Sequence, residues 1–210
     1  MIKEITALKA QQNDPNRVNV FIDGSFSFGI SRFVGAWLRI GQKISDEEIF
    51  ELKNKDSHQE AFQSAMHFLG YRNRSEHEVR VNLSAKGYGE KEIDDVIENL
   101  KSSGYVNDEK FASEWVENRL LSKPRGRRLL TYELKQKKVN PEKIDHALQN
   151  LPDEMTLALQ AARKVIHRYK KMELDEFNKK ITGFLIRRGF GFEVIREARK
   201  FIWEEALQKN

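Results

Sequence analysis

Cysteine is absent from this 210-residue chain, which excludes disulfides, thiolate nucleophiles and the usual cysteine-based zinc sites. No apolar run approaches the roughly 20 residues that cross a bilayer. The opening Met1-Ile2-Lys3-Glu4 lacks the apolar stretch of a signal peptide, so the expected location is the cytoplasm, with no membrane partner. Phosphate-binding Gly-x4-Gly-Lys-Ser/Thr, metal-binding His-Glu-x2-His and nucleophile-bearing Gly-x-Ser-x-Gly patterns do not occur. The five histidines are scattered without metal-ligand spacing, and adjacent carboxylates such as Asp94-Asp95 point in different directions on a helix. These gaps lead to the expectation of a binding protein, monomeric and without cofactor, metal or catalytic residues.

The composition is that of a folded but very polar chain: 39% apolar, 33% charged and only four prolines, with 13 Phe and 3 Trp to build cores. The net charge of +5 is modest, and its distribution is more informative. Residues 1–57 carry eight basic and eight acidic side chains, and residues 58–107 carry six and eight. Residues 108–151 carry ten and seven, and residues 152–210 carry thirteen and nine. The positive field therefore lies in the C-terminal half, where it suits nucleic acid or an acidic protein surface.

A period of 51 residues organises the chain. Arg74–Leu100 aligns without gaps to Arg125–Leu151 with seven identities in 27 positions, and the same shift reaches Glu176–Ile202. Apolar columns run through Val79/Leu130/Ile181, Leu83/Leu134/Leu185, Tyr88/Val139/Phe190, Ile93/Ile144/Ile195 and Leu100/Leu151/Ile202, beside a basic column of Lys86/Lys137/Arg188. The third copy departs at Arg199, where Ile97 and Leu148 stand in the others; that edge is expected to face solvent or a partner.

Spacing within a copy is helical, and Ile93, Val96, Ile97 and Leu100 form an i, i+3, i+4, i+7 stripe. The helices are joined at Lys86-Gly87-Tyr88-Gly89, Val139-Asn140-Pro141 and Arg188-Gly189-Phe190-Gly191, where glycine suits a left-handed stop and Asn-Pro an N-terminus. A further helix precedes each pair, over about 58–71, 108–122 and 153–172, with Phe62, Met66 and Leu69 marking the inner face of the first. Ser75-x2-Glu78 reads as a capping box.

The N-terminal region is β-rich, with Asp23-Gly24 as a hairpin turn. We expect a three-stranded antiparallel sheet there. Two short helices follow, one over Ser31–Ile40 and one opening at the capping box Ser45-x2-Glu48; the polar stretch Lys53–Ser57 marks the boundary with the repeats. The expected fold is thus mainly α: three tandem three-helix repeats in an elongated or curved array, preceded by a small sheet-and-helix region. The domains are 1–57, 58–106, 107–152 and 153–210. Three-helix units are at the lower edge of independent stability, so neighbouring copies are expected to pack together or share a boundary.

The run Ser75-Glu76-x-Glu78-Val79-x3-Leu83-x2-Lys86-Gly87-Tyr88, the link Leu100-x3-Gly104-Tyr105-Val106-Asn107-Asp108-Glu109-Lys110-Phe111-Ala112 and the segment Gly126-Arg127-Arg128-Leu129-Leu130-x2-Glu133-Leu134-x2-Lys137 resemble the repeats of the RecX family. The likeness covers residues 58–210, and the N-terminal extension also resembles that of some members. The resemblance implies a regulator that lies in the groove of the RecA–single-stranded-DNA filament and blocks or destabilises it. Strand exchange, co-protease activity and ATP hydrolysis by RecA would fall. DNA binding is also implied, and a general DNA-binding protein without a recombinase partner is the competing expectation.

Candidate binding residues follow from charge. The first cluster is Lys123, Arg125, Arg127 and Arg128, followed by Lys135, Lys137 and Lys138. The second is Lys164, Arg168 and Lys171, on one face of a single long helix, with Arg187 and Arg188 nearby in sequence. Both suit phosphates or carboxylates, and solvated helix faces are the plainer alternative. Tyr88, Phe190, Phe111 and Trp115 fall on apolar columns and are expected in the core. Burial is also expected of Tyr71, Tyr132 and Trp203.

Overall fold

The computed structural model describes residues 2–169 and 172–208. It divides into two compact units, Met1–Arg72 with Val79–Tyr105, and Asn73–Glu78 with Val106–Asn210. Nine α-helices and four strands occur among the described residues.

In the first unit, β1 (Ile2–Ala10), β2 (Arg17–Ile22), β3 (Ser25–Ser31) and β4 (Lys43–Ser45) form an antiparallel sheet in the order β3-β2-β1-β4. Asp23 and Gly24 both take positive φ, 49° and 82°, the mirror-image turn whose twist suits a two-residue hairpin. Sheet alternation buries Ile5, Val20, Ile22, Phe28 and Ile30 with Ile44 and Ile49. Phe26 falls outside that core, exposed against the edge of Phe21 beside a bulge at Val20/Phe21.

The sheet has a fourth strand beyond the three expected, and the helix expected over Ser31–Ile40 is only a 3-10 turn, Val34–Trp37. Gly35 packs close to Ile30; only Val34 and Leu38 of this stretch pack on the sheet core, while Phe33, Trp37 and Ile40 stay exposed, a face too short to hold a longer helix. The Ser45 capping box is present: the Glu48 N–H donates to Ser45 Oγ at 3.2 Å and the Ser45 N–H to Glu48 Oε2 at 2.7 Å. It opens α1, which runs unbroken from Asp46 to Leu69. The expected boundary at Lys53–Ser57 therefore lies inside a helix. Asp56, within that polar stretch, is buried; it accepts from the Ser31 N–H at 2.7 Å and from Arg17 Nη2 at 3.0 Å. Its charge ties α1 to the sheet. Further along α1, Ala61 and Ala65 are fully buried and the expected Phe62, Met66 and Leu69 only partly.

The repeats supply α2 (Glu76–Ala85) and α3 (Glu90–Ser102), α4 (Asp108–Ser122), α5 (Arg127–Gln136) and α6 (Pro141–Ala147), then α7 (Glu154–Arg163), α8 (Leu174–Arg187) and α9 (Phe192–Gln208). α2 starts at the Ser75–Glu78 box, both of whose hydrogen bonds measure 3.3 Å. Asn140 caps α6, accepting from the Glu142 N–H at 2.9 Å, with Pro141 in the first turn. The columns are core: Val79, Leu130, Ile181, Leu83, Leu134 and Leu185 are fully buried. Tyr88 is only partly buried, unlike Val139 and Phe190 in the same column. In the second unit, Leu120 and Leu151 pack against the cores of both the second and the third module. Those two modules thus share a boundary.

One turn recurs at the repeat period. Gly87, Lys138 and Gly189 have φ of 91°, 57° and 83°. The next N–H donates back to Leu83, Leu134 and Leu185 at 3.4, 3.2 and 3.3 Å, the left-handed closure that stops a helix. The sequence has glycine at two of these places and Lys138 at the third. Surroundings differ: a Cβ on Gly87 meets open space, whereas one on Gly189 lies 2.4 Å from Leu129 Cβ. Gly87→Ala is expected to destabilise by about 1 kcal/mol, the left-handed term alone. Gly189→Ala adds overpacking, for a total of about 3 kcal/mol. Urea melts of the two variants check the difference, and equal losses would show that Gly189 is not packed as described.

Candidate binding surface

The expected helix over 153–172 ends at Arg163, and a 3-10 turn, Ile166–Arg168, follows. Lys164 and Arg168 therefore do not share a continuous helical face, and Lys171 lies outside the described residues. Lys164 instead serves the fold, because its Nζ donates to the carbonyls of Leu121 and Ser122 at 2.7 and 3.0 Å. Those oxygens belong to the last turn of α4, which has no helical donor for them.

Arg125 is likewise held by the fold. Glu133, largely buried, forms ion pairs with Arg125 and with Arg119, the latter at 3.2 Å, and accepts from Trp115 Nε1 at 2.8 Å. Arg119 lies over the Trp115 ring at 4.2 Å, and Lys137 approaches the same ring at 5.5 Å. Burial, together with the like charges of Arg119 and Arg188, pushes the Arg125 guanidinium below its ordinary value. Lys137 Nζ pairs with Glu78 at 2.6 Å. Arg127 Nη2 donates to the Leu148 carbonyl at 2.8 Å, at the end of α6. Arg188 is partly buried over the Phe184 ring at 5.0 Å, its own value lowered by burial and then by Arg187. Its carbonyl accepts from the Gly126 N–H at 2.9 Å.

Lys123, Arg128, Lys135, Lys138, Arg168 and Arg187 remain exposed, with no ion pair among the described residues. Three of these come together. Arg128 and Lys135 share the outer face of α5 at i, i+7, and Lys138 follows in the turn. Between Arg128 and Lys135, at i+4, stands Tyr132, which is 59% exposed rather than buried. Tyr71 is also exposed, edge-on to His67, whereas Trp203 packs on Phe177 at 4.9 Å. The helical phase of Tyr132 relative to the buried Leu130 and Leu134 was the available signal for its outward placement; tyrosine's usual preference for burial obscured it.

No group of three or more metal-capable His, Asp or Glu side chains occurs among the described residues. Nor is any described helix long and apolar enough to cross a membrane.

This is a protein whose chain runs from an antiparallel sheet into tandem three-helix modules, with an exposed aromatic between cations on the middle module. Four family models match it: the regulatory protein RecX N-terminal domain over residues 3–45, and the first, second and third RecX three-helix domains over 61–100, 107–148 and 153–198. The regulatory protein RecX of Bacillus licheniformis is 33% identical over 198 residues, 92% of this chain and 75% of that protein. The Clostridium botulinum (strain Alaska E43 / Type E3) protein of the same name is 29% identical over 203 residues, covering 94% and 95%. The chain belongs to the RecX family of regulatory proteins. Two crystal structures share its fold. One, of regulatory protein RecX, has a TM-score of 0.71 at 22% identity and covers 94% of this chain and 99% of that one. The other, RecX from Lactobacillus salivarius, has a TM-score of 0.60 at 21% identity and covers 70% and 97%.

The two kinds of cation are separable by mutation. Glu133→Gln leaves Arg119 and Arg125 partly buried without their counter-charge and is expected to cost about 2 kcal/mol. Arg128→Gln changes an exposed side chain and is expected to stay within about 0.5 kcal/mol of the wild type. Denaturant titration checks both. Reversing Arg125 to Glu would set a carboxylate beside Glu133 and confuse folding with binding, so binding tests belong on Arg128, Lys135 and Lys138.

Proposed function

We propose that the protein binds in the groove of the RecA–single-stranded-DNA filament and lowers RecA's recombinase, ATPase and co-protease activities. The observation that carries this reading is the set of exposed cations on α5 and in the turn after it, Arg128, Lys135 and Lys138, in a chain that matches RecX regulatory proteins over more than nine-tenths of its length. Exposed cations lose little hydration until a partner covers them, and they favour an anionic surface in both rate and affinity. Purified protein is expected to reduce DNA-dependent ATP hydrolysis by RecA at up to equimolar amounts. Changing Arg128, Lys135 and Lys138 together to Glu removes three contacts of roughly 0.5 kcal/mol each. Half-inhibition should then need about tenfold more protein, with an unchanged circular dichroism spectrum. No inhibition by saturating wild-type protein would reject the proposal.

Tyr132 favours a second reading, general binding of nucleic acid. An exposed ring between two cations is a surface on which a base can stack. Under that reading, salt-sensitive binding to DNA is equal with and without RecA filaments, and Tyr132→Ala weakens it. Preference for filaments over bare DNA decides for the first reading.

A further inference from the structure

The 3-10 turn and the first half of α1 border a groove of about 920 Å³ on the first unit. Its floor is apolar. Ile44 is buried to 1% exposure, and Val34, Leu38 and Leu52 pack against the sheet core beside it. Phe33 and Trp37 stand at the rim, 74% and 85% exposed. One exposed apolar side chain is ordinary, but two aromatic rings bordering a single apolar groove form a patch of the kind that partners cover. The walls are fixed by the fold. The Ser45–Glu48 capping box sets the start of α1, and Asp56 holds that helix to Arg17 and Ser31 of the sheet. A partner therefore loses little free energy in ordering the groove.

We propose that this groove docks a basic amphipathic segment of a partner protein, with bulky apolar side chains on the floor and lysine or arginine along the edge. Charge selects that occupant. Glu48, Glu51 and Asp95 line the groove, and Lys55 is the one lysine or arginine among its described lining residues. Glu48 is engaged in the capping box, whereas Glu51 and Asp95 are exposed and have no ion pair among the described residues. His58 shares a hydrogen bond with Asn99 at 3.0 Å. An uncompensated negative edge repels phosphates and attracts ammonium or guanidinium groups. Nucleic acid is therefore a poor occupant, the reverse of α5. Volume alone also admits a small molecule, since ligand pockets hold roughly 300–1,000 Å³. A small ligand on the floor leaves the Phe33 and Trp37 rings in water, whereas a protein segment covers both. Tryptophan is among the side chains that most often dominate interface energy. Docking here involves neither DNA nor the α5 cations, so it stands apart from filament binding.

The probe is a synthetic leucine–lysine amphipathic peptide, compared with the same peptide carrying glutamate in place of lysine. Trp37 reports on the groove directly, because Trp115 and Trp203 are already partly buried. The lysine peptide is expected to shift the tryptophan emission of the full chain to the blue, and calorimetry gives its affinity. Trp37→Ala removes no charge and should weaken binding about tenfold or more, a loss that general attraction of a basic peptide would not produce. Glu51→Lys combined with Asp95→Lys should weaken the lysine peptide about tenfold and make the glutamate peptide bind in its place. All three side chains are exposed, and circular dichroism checks that the variants fold. No binding of the lysine peptide at millimolar concentration overturns the proposal. So does Trp37→Ala binding as tightly as the wild type, or equal binding of the two peptides by the wild type. A blue shift produced by concentrating the protein alone would make a second copy the occupant, and one produced by oligothymidylate would make it nucleic acid; either result also overturns it.

Discussion

Each module depends on stopping its second helix at one place. A left-handed residue stands at 87, 138 and 189, and the N–H that follows it closes back on the buried leucine at 83, 134 or 185. That closure reverses the chain so that Ile93, Ile144 and Ile195 reach the core. Glycine meets the requirement at little steric cost. Lys138 meets it against the preference of an L side chain, and puts a cation where the other copies have glycine. The residue before each stop is the basic column, and within the second unit it serves junctions. Lys137 reaches Glu78, and one period later Arg188 and Gly189 meet Gly126 and Leu129. Glu78 and Leu129 occupy the same register.

That geometry divides the positive charge into two populations. One is consumed by the fold: Arg17 against Asp56, Arg119 and Arg125 against Glu133, Lys137 against Glu78, and Lys164 on the open end of α4. Removing a partner from the partly buried ion pairs among these is costly because a charge is left without compensation. The other population has no ion pair among the described residues, and exposed charges of this kind contribute little to stability. Two of them, Arg128 and Lys135, flank Tyr132 on the outer face of α5, and Lys138 follows in the next turn, which is what a binding surface requires. The fold does not need them there.

Much of this organisation was legible in the residues. The 51-residue columns, the two capping boxes, the Asp23-Gly24 hairpin and the Asn140-Pro141 helix start all rest on local rules, and each is present in the structure. What escaped depended on long-range pairing. Lys53–Ser57 reads as a linker by composition, yet Asp56 turns inward to Arg17 and Ser31, so α1 continues through it. Lys164 reads as one member of a helical stripe, yet its side chain satisfies the end of α4. Arg125 and Arg128 are indistinguishable by charge and neighbourhood in sequence, and only the position of Glu133 separates them. Tyr132 went the other way, since residue type outweighed helical phase. Arg199 was visible as an exception in its column, and the structure leaves it only partly buried there.

If the division of charge is right, Lys135 and Lys138 face a partner while Lys137 and Lys164 serve the fold. Lysine-specific chemical footprinting of the protein, free and with RecA filaments, tests this directly. Lys135 and Lys138 are predicted to react readily in the free protein and to become protected on the filament, with Lys137 and Lys164 slow in both states. Undiminished labelling of Lys135 and Lys138 on filaments that demonstrably retain the protein would contradict it.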